Sequence, residues 1–283
     1  MSRYLIAGSS GQLARAFIRT LSARSLDFLA PEESGLDITD AGGVGRVCKE
    51  YRPDVILNCA AYNLVDKAEE EPGTAMKVNA EGPQVLARAA KDCGARLVHF
   101  GSDYVFDGQK QDGLYTEEDA PNPLNEYGRS KLRGEELVRS ESEDFLIFRL
   151  SWVYGDGTQN FLHKLLGWAS DKDYLSIVCD EFSVPTCTYT VADVTLRALE
   201  KGLTGGIFHL TDSGYCSRYE WARLALRLAG INKFIRPVGM SGFDLPATRP
   251  GFSAMSNTRV SESLGISIPS WEDSLGAFMK ESR

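Results

Sequence analysis

In the first half of the chain the apolar residues come in short unbroken runs, separated by longer stretches with helical spacing. Tyr4-Leu5-Ile6-Ala7, Asp27-Phe28-Leu29-Ala30, Asp54-Val55-Ile56-Leu57-Asn58, Arg96-Leu97-Val98-His99-Phe100 and Phe145-Leu146-Ile147-Phe148 read as five strands. They lack the polar alternation of a strand wetted on one face, so both faces are expected to be covered. Helices are predicted from Gln12 to Leu21, from Asp40 to Tyr51, from about Pro72 to Cys93 and around Tyr127. Strands alternating with helices of this length give an α/β fold of the Rossmann type, a doubly wound parallel sheet.

After Arg149 the rhythm loosens. Short strands near Leu175–Val178 and Gly206–Leu210 mix with helices at roughly 190–201 and 217–229, and a closing helix runs from Trp271 to Met279. No repeat or low-complexity linker separates the halves. Residues 1–150 are therefore expected to form the nucleotide-binding lobe, and 151–283 a smaller, interleaved C-terminal substrate-binding lobe. Part of 185–210 is expected to return to the first lobe, making one catalytic unit.

Composition narrows the function classes. A formal net charge of -8 argues against general affinity for nucleic acid. Six cysteines without a Cys-x-x-Cys pair fit reduced thiols and a cytoplasmic protein better than a disulfide framework. His99, His163 and His209 show no metal-ligand spacing, so no metal site is assigned and metal dependence stays open. The start of the chain is too brief in apolar residues for a signal peptide, and no stretch approaches the ~18 needed to span a membrane.

The candidate chemistry lies at strand ends. Gly8-Ser9-Ser10-Gly11-Gln12-Leu13-Ala14 follows the first strand. Gly8 suits a tight turn, Gly11 lets a pyrophosphate approach the backbone, and the helix amino terminus favours its charge. An ordinary glycine turn is the bland alternative; position at the first strand–helix junction favours a dinucleotide. The second strand is followed by Ala30-Pro31-Glu32-Glu33 with no arginine, which leans towards NADH over NADPH. Ser102 sits where the fourth strand gives way to loop, as a turn cap or as a donor to a carbonyl. Tyr127 and Lys131 are four residues apart on a helix, only about 40° past a full turn, so they share one face. An ammonium beside the phenol is expected to pull its pKa down towards neutrality.

Longer stretches resemble the extended short-chain dehydrogenase/reductases, and within them the dTDP-4-dehydrorhamnose reductase family. The likeness is carried by LDITD at 36–40, NCAAY at 58–62, VDKAE at 65–69, Asn79, SDYVFDG at 102–108, YGRSK at 127–131 and RLSWVYG at 149–155. It continues in DEFSVPT at 180–186, GIFHLTDSGYCS at 206–217 and TRPGFSAMSN at 248–257. By that resemblance Ser102, Tyr127 and Lys131 form the catalytic set. Gly8, Gly11, Gln12, Leu13, Asp37, Ile38, Ala60, Ala61, Tyr62 and Asn79, with Tyr127 and Lys131, bind the cofactor. Ser102, Asp103, Tyr104, Trp152, Phe182 and Arg249 bind the substrate. Trp152 reads equally well as a core aromatic between lobes.

The implied reaction is reduction of the C4 keto group of a nucleoside-diphosphate 4-keto-6-deoxy sugar, in a protein that the resemblance allows to be a homodimer. Ala14, Ser102, Asn63 and Ser183 stand where the family more often has glycine, threonine, threonine and glycine. Asp103-Tyr104 in place of Asp-Glu disfavours a sugar-nucleotide dehydratase. A nucleotide-sugar epimerase and a non-catalytic subunit like the methionine adenosyltransferase beta subunit remain as competing readings.

Overall fold

The computed structural model of the protein describes residues 2–281. A six-stranded, all-parallel sheet is built from β1 (Arg3–Ala7), β2 (Asp27–Leu29), β3 (Val55–Asn58), β4 (Arg96–Ser102), β5 (Phe145–Leu150) and a sixth strand, Gly206–His209. Its spatial order is Gly206–His209, β5, β4, β3, β1, β2. Every residue of β3 and β5 is buried, which is why their sequences are unbroken apolar runs.

Helices cover both faces. Helix Gln12–Ala23 packs with Thr188–Glu200 on one side through Phe17, Leu21, Val191 and Leu196. Helices Ala41–Tyr51, Gly82–Cys93 and Glu126–Glu141 lie on the other, through Val44, Leu86, Ala90 and Val138. The strand order reverses between β1 and β3, which opens a crevice at their carboxyl ends.

The helix predicted from Pro72 to Cys93 is not uniform. Pro72–Met76 and Gly82–Cys93 are α-helical, and Lys77–Glu81 between them is wound as a π-turn. The wider turn brings Asn79 inward, 1% exposed, against helix Glu126–Glu141. Gly134 of that helix makes the approach feasible, because a Cβ there would lie 2.1 Å from the Asn79 carbonyl oxygen.

The C-terminal half builds its own core around Trp152, Tyr154, Trp221, Trp271 and Phe278. Helices Phe161–Asp171, Arg218–Leu228 and Trp271–Glu281 surround three two-stranded pairings: Tyr174–Val178 with Phe234–Val238, Phe182–Ser183 with Cys216–Ser217, and Val153–Tyr154 with Thr186–Cys187. Among the described residues no helix is long and apolar enough to cross a membrane.

Candidate active site

The glycine turn and the end of β3 meet at the strand-order reversal. Gly8 has φ +77°, and a Cβ on it would lie 2.6 Å from the Ala60 amide nitrogen. Only glycine relieves both constraints. Gly11 caps helix Gln12–Ala23 without a side-chain hydrogen bond, so the first amides of that helix have no side-chain partner. This is a fitting cradle for a dinucleotide pyrophosphate.

Gln12 faces the other lobe: its Nε2 donates to the Val153 carbonyl at 3.0 Å, and its Oε1 accepts from Asn160 Nδ2 at 3.0 Å. Leu13 is packed in the core. Asp37 is exposed and accepts from both the amide and the hydroxyl of Thr39, each at 2.8 Å, which holds its carboxyl below the usual range. Ile38 is buried against Gly82. Ala60, Ala61 and Tyr62 are half-buried along the crevice. Asn79 spends its side chain on the protein itself, accepting from Tyr62 N and donating to Tyr62 O and Ser130 Oγ. It thus fixes the Ala60–Tyr62 loop to the helix that carries Tyr127.

That helix is anchored from outside. Asn125 caps it by accepting from Gly128 N at 2.8 Å, and donates to Thr248 O at 2.7 Å, tying it to the C-terminal half. At Gly128 a Cβ would sit 2.2 Å from the Tyr104 carbonyl oxygen, so this glycine lets helix and catalytic loop touch. Tyr127 is consequently brought to the carboxyl end of β4. The Ser102 hydroxyl lies near enough to its phenol to favour the charged form, and its ring meets Tyr104 edge-on with centroids 5.7 Å apart.

The electrostatics differ from the expectation drawn from spacing alone. Burial pushes the Tyr127 phenol up to about 12; the Ser102 hydroxyl opposes this and the Asp103 charge adds to it. Lys131 does not lower it here, because its Nζ, 3% exposed with the rest of the residue, donates to Phe100 O at 2.6 Å. Burial brings Lys131 itself down to about 8, with Glu135 opposing. Beneath it, His99 is held neutral by burial and by Lys131, and its Nδ1 meets Asn58 Nδ2 at 3.0 Å.

Two buried carboxylates flank the loop. Glu135 takes Arg149 in two-point contact, Nη2 to Oε2 at 2.7 Å and Nε to Oε1 at 3.0 Å. Among the described residues Asp103 pairs with no cation. Its Oδ2 lies within hydrogen-bond distance of Ser253 (2.6 Å), Ser183 (2.9 Å) and Ser151 (3.1 Å), and Oδ1 faces Ser102 Oγ at 3.3 Å. Burial raises its pKa in spite of those hydroxyls.

On the lobe side, Tyr104 donates to Glu181 at 3.4 Å, and Glu181 faces Arg218 Nε at 3.3 Å. Trp152, at φ +39°, stacks on Trp221 within the second core. Phe182 hydrogen-bonds through its backbone with Gly251 and Ser253. Arg249 is clamped by Asp66, Nη2 to Oδ2 at 2.7 Å and Nη1 to Oδ1 at 2.9 Å, and gives Nη1 to Ala247 O as well. The sequence reading gave no role to Glu181, Arg218, Ser151 or Ser253, although Glu181, Ser151 and Ser253 lie in stretches that carry the resemblance; Ser183 was noted as a departure from the family pattern. Two surface cavities, of about 410 Å³ by Thr190 and Pro269 and about 590 Å³ between helices Ala41–Tyr51 and Gly82–Cys93, share no residue with this cleft.

Comparison with known proteins identifies the family. The family model described as the RmlD substrate binding domain matches residues 2–283. A dTDP-4-dehydrorhamnose reductase of Burkholderia thailandensis is 34% identical over 298 residues, covering 99% of this chain and 98% of that protein. The crystal structure of a dTDP-4-dehydrorhamnose reductase from Clostridium acetobutylicum superposes with a TM-score of 0.95 at 36% identity, covering 99% of each chain. One from Bacillus anthracis, in complex with NADP, gives a TM-score of 0.95 at 32% identity, again over 99% of each. The chain belongs to the dTDP-4-dehydrorhamnose reductase family.

Proposed function

We propose that the protein reduces the C4 keto group of a nucleoside-diphosphate 4-keto-6-deoxy sugar, converting dTDP-4-dehydro-L-rhamnose to dTDP-L-rhamnose. The observation that carries this reading is the meeting of the Tyr127 and Ser102 hydroxyls beside the glycine cradle at the strand-order reversal. The glycine cradle would hold the pyrophosphate of a reduced nicotinamide dinucleotide, which when bound would supply the hydride for the carbonyl carbon.

The chain's own part is to manage the oxygen. A phenol held near 12 stays protonated at neutral pH, so Tyr127 keeps the proton that the developing alkoxide takes. Ser102 orients the same oxygen by donating its hydroxyl, releasing Asp103 Oδ1 as it does so. Lys131 has three N–H donors and spends one on Phe100 O; the others suit ribose hydroxyls. The loop after β2, with Glu32, Glu33 and no arginine, supports NADH as the preferred reductant, whereas the Bacillus anthracis relative holds NADP.

The test is turnover of the 4-keto sugar nucleotide followed at the nicotinamide band, with each reduced cofactor in turn. Stoichiometric consumption is expected; turnover without consumption would mark an epimerase, and none at all a binding subunit. Tyr127→Phe should lose about 10²–10⁴ in kcat while cofactor affinity is unchanged. Wild-type turnover in that variant would end the assignment of Tyr127 as proton donor.

A further inference from the structure

Three arginines stand close to the catalytic loop, and they are not alike. Arg149 and Arg249 each give two nitrogens to one carboxylate. Arg218 gives only Nε, and at the longer distance of 3.3 Å to Glu181 Oε2. Among the described residues its two terminal nitrogens have no hydrogen-bond partner, and its side chain is 20% exposed. A guanidinium has five N–H donors; here the stem and one edge are packed while the fork stays open to solvent, where an anionic ligand can meet it.

The surroundings hold the fork in place. The Arg218 guanidinium carbon lies 3.6 Å from the centroid of the Trp152 ring and 5.2 Å from that of Phe161. Arg218 opens helix Arg218–Leu228, whose start is fixed by a reciprocal cap: Ser217 Oγ accepts from Glu220 N, and Glu220 accepts from Ser217 N. Stacking on an indole, an ion pair at one edge and a locked helix start leave little freedom, so the donors are pre-organised. Glu181 lies 7% exposed and holds only the Nε edge of the guanidinium through Oε2, while its Oε1 accepts from Tyr104.

Position identifies the ligand chemistry. From the Tyr127 ring a series of contacts leads to Tyr104, to Glu181 and to Arg218. With the sugar carbonyl at the phenol, the Arg218 end of this series is the one left for the charged part of the substrate. Planar bidentate donation is the geometry by which arginine holds phosphate oxygens.

We propose that Arg218, and not the clamped Arg249, is the residue that grips the diphosphate of the sugar nucleotide. The inference deepens the reductase reading and rests on it for the orientation of the substrate. Trp152 and Glu181 then act as its rigid support, and Trp152 serves both as core aromatic and as the platform of the binding fork.

Direct binding of dTDP and of thymidine, measured by calorimetry on the full chain, tests this without turnover. Arg218→Gln is expected to weaken dTDP by about 10–100-fold, the worth of charge-assisted hydrogen bonds to a charged group, and to leave thymidine and NADH affinities unchanged. Arg218→Lys should recover part of the dTDP loss, because the charge remains and the fork does not. Unchanged dTDP affinity in Arg218→Gln overturns the proposal, and so does an equal loss for thymidine. Should Arg218→Gln also lose NADH affinity, Arg218→Lys decides alone: NADH affinity intact with dTDP weakened supports the fork, and dTDP unchanged removes it. If dTDP binding depends on Arg218 while the 4-keto sugar nucleotide is not turned over, the grip stands and the reductase reading falls.

Discussion

Glu135 and Asp103 are both buried carboxylates beneath one catalytic loop, 1% and 2% exposed, and the protein treats them in opposite ways. Glu135 is matched by a guanidinium in a rigid two-point pair that also fills the space over Gly101, where a Cβ would lie 2.4 Å from Glu135 Oε1. Asp103 is surrounded by hydroxyls drawn from both halves of the chain, which can rotate, donate or accept. A matched pair is brittle, since losing one partner strands the other charge. A hydroxyl cage adjusts. The first suits a scaffold under the Tyr127 helix, and the second suits the junction at which a substrate must enter.

The largest expected effect is on the brittle side. Glu135→Ala leaves Arg149 buried without its partner and should cost about 3–5 kcal/mol in urea unfolding. A cost below ~1 kcal/mol would show that Arg149 finds another way to be solvated, and the contrast would fail.

Asp103→Asn should cost less, about 1–3 kcal/mol at neutral pH, because the serine hydroxyls can turn to meet an amide. Its signature is in pH dependence. Burial raises the Asp103 pKa in the folded state, so the native protein holds this proton more tightly than the unfolded chain does. Its contribution to stability is therefore fullest at acid pH and falls as pH rises through the folded-state pKa, and the asparagine variant should lack that fall. Because the Asp103 charge also raises Tyr127, the alkaline limb of kcat/KM should move to lower pH in the variant. An unmoved limb would separate Asp103 from the phenol.

The smallest effect is reserved for Ser183→Ala, about 0.5–1.5 kcal/mol, since Ser151 and Ser253 still reach the same carboxylate oxygen. Denaturation measured alongside Asp103→Asn in a double-mutant cycle gives their coupling. Strict additivity would dissolve the idea of a shared cage.

The contrast also explains what was legible in the sequence. The five strands of the first half, the glycine turn and the Tyr127/Lys131 pair are local patterns, readable from spacing over a few residues. Their electrostatic outcome was not: the phenol rises because of burial, and the lysine answers to a carbonyl on β4. The π-turn at Lys77–Glu81 leaves no mark in helical periodicity. Strand Phe234–Val238 hid behind Pro237 and an exposed Phe234, since proline inside an apolar run argues against a strand. Ser151, Ser183 and Ser253 lie 48, 80 and 150 positions from Asp103, and nothing in one loop announces the others. Arg249 stood in a recognisable motif and drew the substrate role, while Arg218 sits two residues after Cys216 in an unremarkable helix start.

The return of the chain to the sheet at Gly206–His209 has a practical outcome for anyone wishing to dissect the molecule. That strand pairs along β5 from Gly206–Leu146 to His209–Arg149. Cutting after residue 150 would strip it away and leave β5 as a bare, apolar margin offering hydrogen bonds to any passing strand. Such a fragment is expected to aggregate through that edge, so this reductase is better dissected by substitution than by excision.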